Sequence, residues 1–280
     1  MAENNGTFST GDLGRQAAKK PRTNNNYGLK LYYQPIVEPI FSKTVAYEGL
    51  LRLLDKSLKF VSPAVFVPIA EKNGLDVALG NWVIDEACRT INKLDKKEMK
   101  IQYISTNVST KHFMRKDYIN DLNKILKKHD VTPDRICLEI AEFAMVSKSR
   151  VTMQKMDELK DMGFKIAIDG FGGEAGSLSK LNNIPADIIK LDKQYVDRIM
   201  IDPNTRKITE SIVSLAKNLG LEVIATAVED ASQQQALMQM GCTQMQGFLY
   251  GEPVRERDIL YPPKKKQEEY IIQTDADEEE

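Results

Sequence analysis

Apolar positions along residues 29–251 switch repeatedly between two periods, and that switching predicts the architecture. Where every second residue is apolar the chain reads as a strand; where apolar residues recur three and four apart it reads as a helix. Strands are predicted over 29–37, 44–51, 101–109, 135–142, 165–169, 187–191, 222–227 and 245–251. Helices are predicted over 63–94, broken at Gly74 and Gly80, and over 117–129, 150–162, 177–182, 207–219 and 232–240. In the helix over 207–219, Ile208, Ile212, Leu215 and Leu219 form one stripe, and Gly220 supplies the stop. Pro35 marks the first strand as irregular or near an edge.

Strands that mostly alternate with helices imply a parallel sheet covered by helices. An open doubly wound sheet and a closed barrel both satisfy the pattern. The strand count and total length favour a TIM-like (βα)8 barrel. No helix separates the first two strands, so the start of the barrel should depart from the standard order.

Outside the periodic region the chain changes character. Residues 1–26 are polar, rich in Asn, Gly and Lys, and lack the apolar core of a signal peptide; a disordered leader is expected there. The barrel domain is placed at 27–262. A charged tail follows at 263–280, where Lys264-Lys265-Lys266 precedes Asp277-Glu278-Glu279-Glu280. No apolar run reaches the roughly 18–20 residues of a membrane span, so a cytoplasmic protein without membrane contact is expected. A formal net charge of −1 offers no electrostatic case for a nucleic-acid polymer. Cys88, Cys137 and Cys242 lie far apart in apolar contexts and read as plain buried thiols in a reducing compartment. His112 and His129 fall on helical stretches and read as surface residues.

The candidate chemistry sits at strand tips. Lys165-Ile166-Ala167-Ile168-Asp169 places Ile166 and Ile168 on one face and Asp169 on the other, just before Gly170-Phe171-Gly172-Gly173. Comparable tips carry Glu48, Asn107, Glu139, Lys190 and Gln246, each opposite an apolar face that should meet the helices. These six residues should therefore converge at one barrel mouth, where such folds keep their chemistry. Oxygen ligands of this kind suit Mg²⁺ or Mn²⁺, and no Cys/His cluster supports zinc. An inner ring of satisfied hydrogen bonds and salt bridges would account for the same residues.

The ordered blocks resemble those of EAL domains, the bacterial phosphodiesterases that linearise cyclic di-GMP. The blocks are Tyr33-Gln34-Pro35-Ile36-Val37, Tyr47-Glu48-Gly49-Leu50-Leu51-Arg52, Phe66-Val67-Pro68-Ile69-Ala70-Glu71 and Asn107-Val108-Ser109. Leu138-Glu139-Ile140-Ala141-Glu142, Asp169-Gly170-Phe171-Gly172, Ile189-Lys190-Leu191-Asp192 and Gln246-Gly247-Phe248 continue the series. The resemblance implies a variant eight-stranded barrel with an irregular first strand. It implies that Glu48, Asn107, Glu139 and Asp169 hold the metal, that Lys190 positions the attacking water and that Gln246 supports the site. It places Gln34, Glu48, Leu50, Arg52, Asn107, Asp169 and Gln246 against the dinucleotide.

Departures from the family pattern change the expected activity. Active members carry a second aspartate where this chain has Gly170, and a glutamate where it has Thr226. Gly173-Glu174-Ala175-Gly176 replaces a threonine-glycine-aromatic-serine run that links the family's active site to dimerisation, and Ala141 replaces a threonine. Glu174 could substitute for the missing aspartate only by ordering a glycine-rich loop. The surviving ligands then leave a single weakly held ion or none, with Lys190 in a residual role. Three functions follow: a cyclic di-GMP receptor with lost or severely impaired hydrolysis, a protein-interaction regulator that has abandoned the nucleotide, or a slow Mg/Mn-dependent phosphodiesterase yielding pGpG. A regulatory protein partner and a homodimer are compatible with each.

Overall fold

The computed structural model describes residues 28–55, 60–142, 150–172 and 184–262. The expected leader and tail, the helix over 177–182 and the segment Gly173-Glu174-Ala175-Gly176 lie outside these residues.

Eight strands close a barrel: β1 (Gly28–Glu38), β2 (Lys43–Leu54), β4 (Tyr103–Asn107), β5 (Ile136–Ala141), β6 (Lys165–Phe171), β7 (Ile188–Leu191), β8 (Glu222–Ala225) and β9 (Gln244–Met245). Two short strands, β3 (Phe60–Val61) and β10 (Val254–Arg255), add to β2 and β1. From β2 round to β9 the barrel neighbours run parallel, whereas β1 is antiparallel to both β2 and β9. The cause is local. A 3₁₀ turn at Pro39–Phe41 and a left-handed Ser42 join β1 directly to β2, and a connection that short permits only antiparallel pairing. The β1–β2 register slips between Ile36 and Val37, next to Pro35.

The longer helices are α1 (Pro63–Lys72), α2 (Asp76–Lys96), α3 (Tyr118–His129), α4 (Arg150–Asp161), α5 (Pro203–Asn218) and α6 (Ala231–Met240). Strand alternation divides the core into two layers. Ile104, Leu138, Ile140, Ile166, Ile168 and Ile189 point outward against the helices. Ala46, Tyr103, Cys137, Ala167, Ile188 and Ile224 form a separate buried plug. The plug residues share the parity of Glu48, Asn107, Glu139, Asp169 and Lys190, so the polar residues stand on the barrel interior one step nearer the C-terminal ends. Cys88, Cys137 and Cys242 are buried and free, as expected.

Several expectations are corrected. Gly74, at φ +70°, follows the end of α1, but Gly80 lies inside α2. A Cβ at Gly80 would lie 2.1 Å from His112 Nδ1, so the glycine is there for close approach and not for a break. Gly80→Ala should lower stability by about 1–3 kcal/mol through overpacking, despite its better helix propensity. Urea denaturation reads the sign directly; a stabilised variant would mean that His112 can move freely. His112 is itself buried, not a surface residue, and its ring packs edge-on against Tyr118. His129 is half-buried against Asp85. On α5, Ile208 is exposed, and the buried stripe is Thr205, Thr209, Ile212, Val213 and Ala216. The last barrel strand stops at Met245, because residues 246–251 leave the ladder in a turn.

Candidate active site at the barrel mouth

The six side chains predicted at strand tips meet in one network centred on Lys190 and Glu48. Lys190, projecting from β7, donates to Glu48 Oε2 at 2.9 Å and to Glu139 Oε1 at 2.8 Å, and lies 3.9 Å from Asp169 Oδ1. Asn107 Nδ2 donates to Glu48 Oε1 at 2.9 Å, and Gln246 Nε2 donates to Glu48 Oε2 at 2.6 Å. Gln34 joins from β1: its Oε1 accepts from Gln246 Nε2 at 3.2 Å, and its Nε2 donates to the Gly251 carbonyl at 3.1 Å. The antiparallel course of β1 makes this possible by bringing Gln34 into register with Glu48.

Leu50 and Arg52 do not join this network. They line a separate cavity beyond β2, and Arg52 Nη1 donates to the Leu51 carbonyl.

The electrostatics are those of three carboxylates sharing one cation. Burial pushes the Glu48 carboxyl up, but the Lys190 charge and hydrogen bonds from Lys190, Gln246 and Asn107 outweigh it and hold Glu48 below its ordinary value. Burial also opposes the Lys190 charge; Glu139, Glu48 and Asp169 overcome it and raise Lys190 well above a free lysine. Glu139 is the odd one out. Burial and its carboxylate neighbours Glu48 and Asp169 push it to about 8, with Lys190 offsetting only part.

The raised Glu139 value makes stability depend on pH. A carboxyl of ordinary value 4.5 in the unfolded chain and about 8 in the folded one binds its proton more tightly when folded. Its contribution is therefore present at acid pH and is lost as pH rises from about 5 to 8. Subtracting the stability profile of Glu139→Gln from that of the unmodified chain isolates this slope. A flat difference between pH 5 and 8 would show that Glu139 is ionised throughout.

Asp169 sits where the ladder breaks. The β6–β7 register shifts between Ile168 and Phe171, and Gly170 within the break has φ +68°. Bulges of this kind re-aim a side chain next to a site, and glycine adopts positive φ without a Cβ penalty. Contrary to expectation Asp169 does not end the strand, which continues to Phe171. Its side chain is 37% exposed, against 9% for Glu48 and 0% for Glu139, so Asp169 is the carboxylate that solvent reaches. Thr226 turns its hydroxyl back to donate to the Leu191 carbonyl at 2.7 Å.

A cavity of about 240 Å³ opens above these groups and is lined also by Thr226, Lys193, Glu229 and Phe248. Phe248 is 62% exposed. Lys193 pairs with Glu229 at 3.4 Å; Lys193 was not picked out from sequence, where a charged helix start looks like any solvated surface, whereas Glu229 matches a family position of its own, three residues beyond Thr226.

A family model described as the EAL domain matches residues 17–253. The chain belongs to the EAL-domain family. Among its relatives, the bifunctional diguanylate cyclase/cyclic di-GMP phosphodiesterase MucR of Pseudomonas aeruginosa is 32% identical over 232 residues, which cover 83% of this chain and 34% of that protein. The signaling protein YkoW of Bacillus subtilis is 31% identical over 243 residues, covering 87% of this chain and 29% of the relative. The EAL chain thus spans about a third of the length of these curated relatives. A solved structure titled PaMucR phosphodiesterase, c-di-GMP complex, superposes with TM-score 0.77 at 32% identity, covering 82% of this chain and 94% of the other. The EAL enzyme Bd1971 in a form bound to cAMP and cyclic di-GMP gives 0.79 at 28% identity, covering 91% and 70%. The eight-stranded EAL barrel expected from sequence is therefore the fold.

The site's fit to a metal rests on its oxygens. Among the described residues, no three His, Cys, Asp or Glu side chains are gathered closely enough to hold an ion as they stand. Glu139 Oε2 is nevertheless buried without a hydrogen-bond partner, and Glu48 and Asp169 are near enough to act on the Glu139 carboxyl electrostatically. An unpartnered buried carboxylate oxygen in an all-oxygen acidic set fits one hard divalent cation. Among the described residues, no helix is long and apolar enough to cross a membrane.

Proposed function

We propose that this EAL domain binds cyclic di-GMP at the barrel mouth and that its hydrolysis is lost or severely impaired. The carrying observation is the state of the two depleted positions. Gly170 offers no carboxylate beside Asp169, and the Thr226 hydroxyl is committed to a backbone carbonyl. Around them the remaining binding groups stay assembled: Gln34, Glu48, Asn107, Glu139, Lys190 and Gln246 form one connected network. Relatives named as cyclic di-GMP phosphodiesterases, and a solved relative in complex with that nucleotide, support the ligand.

Glu48, Asn107, Glu139 and Asp169 would hold one Mg²⁺ or Mn²⁺. Such an ion supplies counter-charge to a phosphate and lowers the pKa of bound water. The chain's own residues do the rest. Lys190 keeps Glu48 ionised and fixed, while Gln246 and Asn107 lock both of its oxygens. Leu50 and Arg52 extend the binding surface along β2. A slow phosphodiesterase is the second reading, favoured by the survival of Glu48 and Lys190 in one contact.

Calorimetric titration with cyclic di-GMP in excess Mg²⁺, followed by chromatography of the nucleotide, separates these readings. Saturable heat with intact nucleotide is expected. Sustained heat with pGpG would make the domain an enzyme. Absence of heat at several temperatures would leave the nucleotide out and turn attention to a protein partner.

A further inference from the structure

The rim of the mouth departs from regular geometry where β8 and β9 end. Ile224 pairs with Gln244 and Ala225 with Met245, so Thr226 alone should face Gln246. The Gln246 amide donates to the Ala225 carbonyl at 2.9 Å, but the Gln246 carbonyl accepts from the Val228 amide, at 3.0 Å. An unbroken parallel ladder would take that second bond from residue 227. One extra residue is therefore inserted, and Thr226 and Ala227 together oppose Gln246 in a bulge.

Within this bulge Ala227 has φ +57°. Among the described residues, the other non-glycine positions with positive φ are Ser42, Glu98 and Asp130. All three are exposed, at the 3₁₀ turn or just past the ends of α2 and α3, where left-handed residues commonly close a turn. Ala227 is different: it is half-buried, it follows a strand and it lines the mouth cavity. Alanine lacks the short polar side chain that eases this conformation for Asn or Asp, so the position stores backbone strain. Such strain persists only where the surroundings over-determine it. Here they do. On one side the Thr226 hydroxyl donates to the Leu191 carbonyl at 2.7 Å. On the other the Leu249 amide donates to the Val228 carbonyl at 3.1 Å, and Gly247 packs so closely that a Cβ there would lie 2.0 Å from the same oxygen.

The residue gripped by the bulge is Gln246. Its backbone bonds go to the two residues flanking Thr226 and Ala227, and its buried side chain donates to Glu48 Oε2 at 2.6 Å. Bulges re-aim side chains next to sites. We propose that Ala227 is a positioning residue whose left-handed conformation closes the bulge that aims the Gln246 amide at Glu48. The consequence for the nucleotide rests on cyclic di-GMP being the ligand of the mouth; the aiming of Gln246 does not.

The test is a pair of double-variant cycles on the full chain. In the first, urea midpoints are measured for the unmodified protein, Ala227→Gly, Gln246→Ala and their combination. Glycine adopts positive φ freely, so Ala227→Gly should raise the midpoint by about 0.3 M, the strain relieved less the added freedom of glycine in the unfolded chain. In Gln246→Ala no amide has to reach Glu48, the rim relaxes, and the same substitution should gain less than half as much. No gain in the unmodified background, or an equal gain in both, would overturn the proposal. The second cycle pairs Ala227→Val with Gln246→Ala and reads affinity for cyclic di-GMP in excess Mg²⁺ by calorimetry. A β-branched residue is a poor fit to this conformation, so Ala227→Val should weaken binding about tenfold, the effect of losing one hydrogen bond to a charged group. Added to Gln246→Ala it should weaken binding no further. A valine that merely blocked the cavity would weaken both backgrounds alike, and that result would overturn the proposal. If Ala227→Val does not fold, the first cycle decides alone. If the unmodified protein binds no cyclic dinucleotide, the ligand assignment fails, and the first cycle still decides the role of Ala227.

Discussion

Lys190→Met is expected to destabilise the domain by about 3–5 kcal/mol, the usual consequence of removing one partner from a buried charge cluster. Methionine replaces the apolar stem, so the loss falls on the ammonium. Glu48 and Glu139, 9% and 0% exposed, would then face each other with only amide donors between them. Glu48 keeps Asn107 and Gln246, but Glu139 would have Oε1 as well as Oε2 without a partner shown in the structure. Urea denaturation at pH 9, above the value of about 8 that Glu139 takes in the folded chain, measures the loss. Adding Glu139→Gln to Lys190→Met should recover part of it, because one of the stranded charges is then gone. A loss below about 1 kcal/mol in the single variant would mean that Glu139 was already neutral and that Lys190 holds Glu48 alone. Excess Mn²⁺ adds a second readout: a cation that binds only the folded state raises stability by mass action, and a larger gain in the variant than in the parent would place the ion at these oxygens.

The strands that build this cluster were legible because their alternation is strict. From Ile136 to Ala141 and from Lys165 to Asp169 the alternate positions Ile136, Leu138, Ile140, Ile166 and Ile168 are bulky aliphatics, while Glu139 and Asp169 share the other parity with Cys137, Ala141, Lys165 and Ala167, so parity alone assigns the polar tips to the interior. What alternation could not show was anything set by a single close approach. Gly80 looks like a helix breaker in sequence, yet it is the contact surface for a histidine 32 positions away in the chain. Residues 246–251 keep a strand-like composition but leave the ladder after Met245, with the Gln246 amide nitrogen donating to the Ala225 carbonyl and its side chain turned to Glu48.

The complementary experiment is gain of function. Gly170→Asp together with Thr226→Glu is expected to raise conversion of cyclic di-GMP to pGpG by at least about 10²-fold, the typical worth of one electrostatic contributor to a catalytic site. The two gains need not multiply, because both residues would serve one cooperative centre. Geometry favours the attempt but adds backbone strain. A Cβ built at Gly170 finds space, with Asp192 Oδ2 the nearest atom at 3.6 Å, although φ is +68° and a left-handed residue with a Cβ costs about 1–2 kcal/mol. Aspartate is among the residues that tolerate that region best, so the strain need not prevent folding. The carboxylate introduced by Gly170→Asp would stand close to Asp192, and like-charge repulsion there disfavours its ionised form unless a cation offsets it. Turnover in the restored variant should therefore depend steeply on Mg²⁺. At Thr226 the substitution breaks the hydrogen bond to the Leu191 carbonyl and frees the side chain to turn toward Lys190. Adding Glu48→Ala to the restored variant should return turnover to background, since Glu48 joins Asn107, Lys190 and Gln246 in one contact. Turnover that survived Glu48→Ala would refute the assignment of Glu48 to the metal site. No gain from the double restoration, with the nucleotide still bound, would move the cause of inactivity from the two acidic positions to the Gly173-Glu174-Ala175-Gly176 segment.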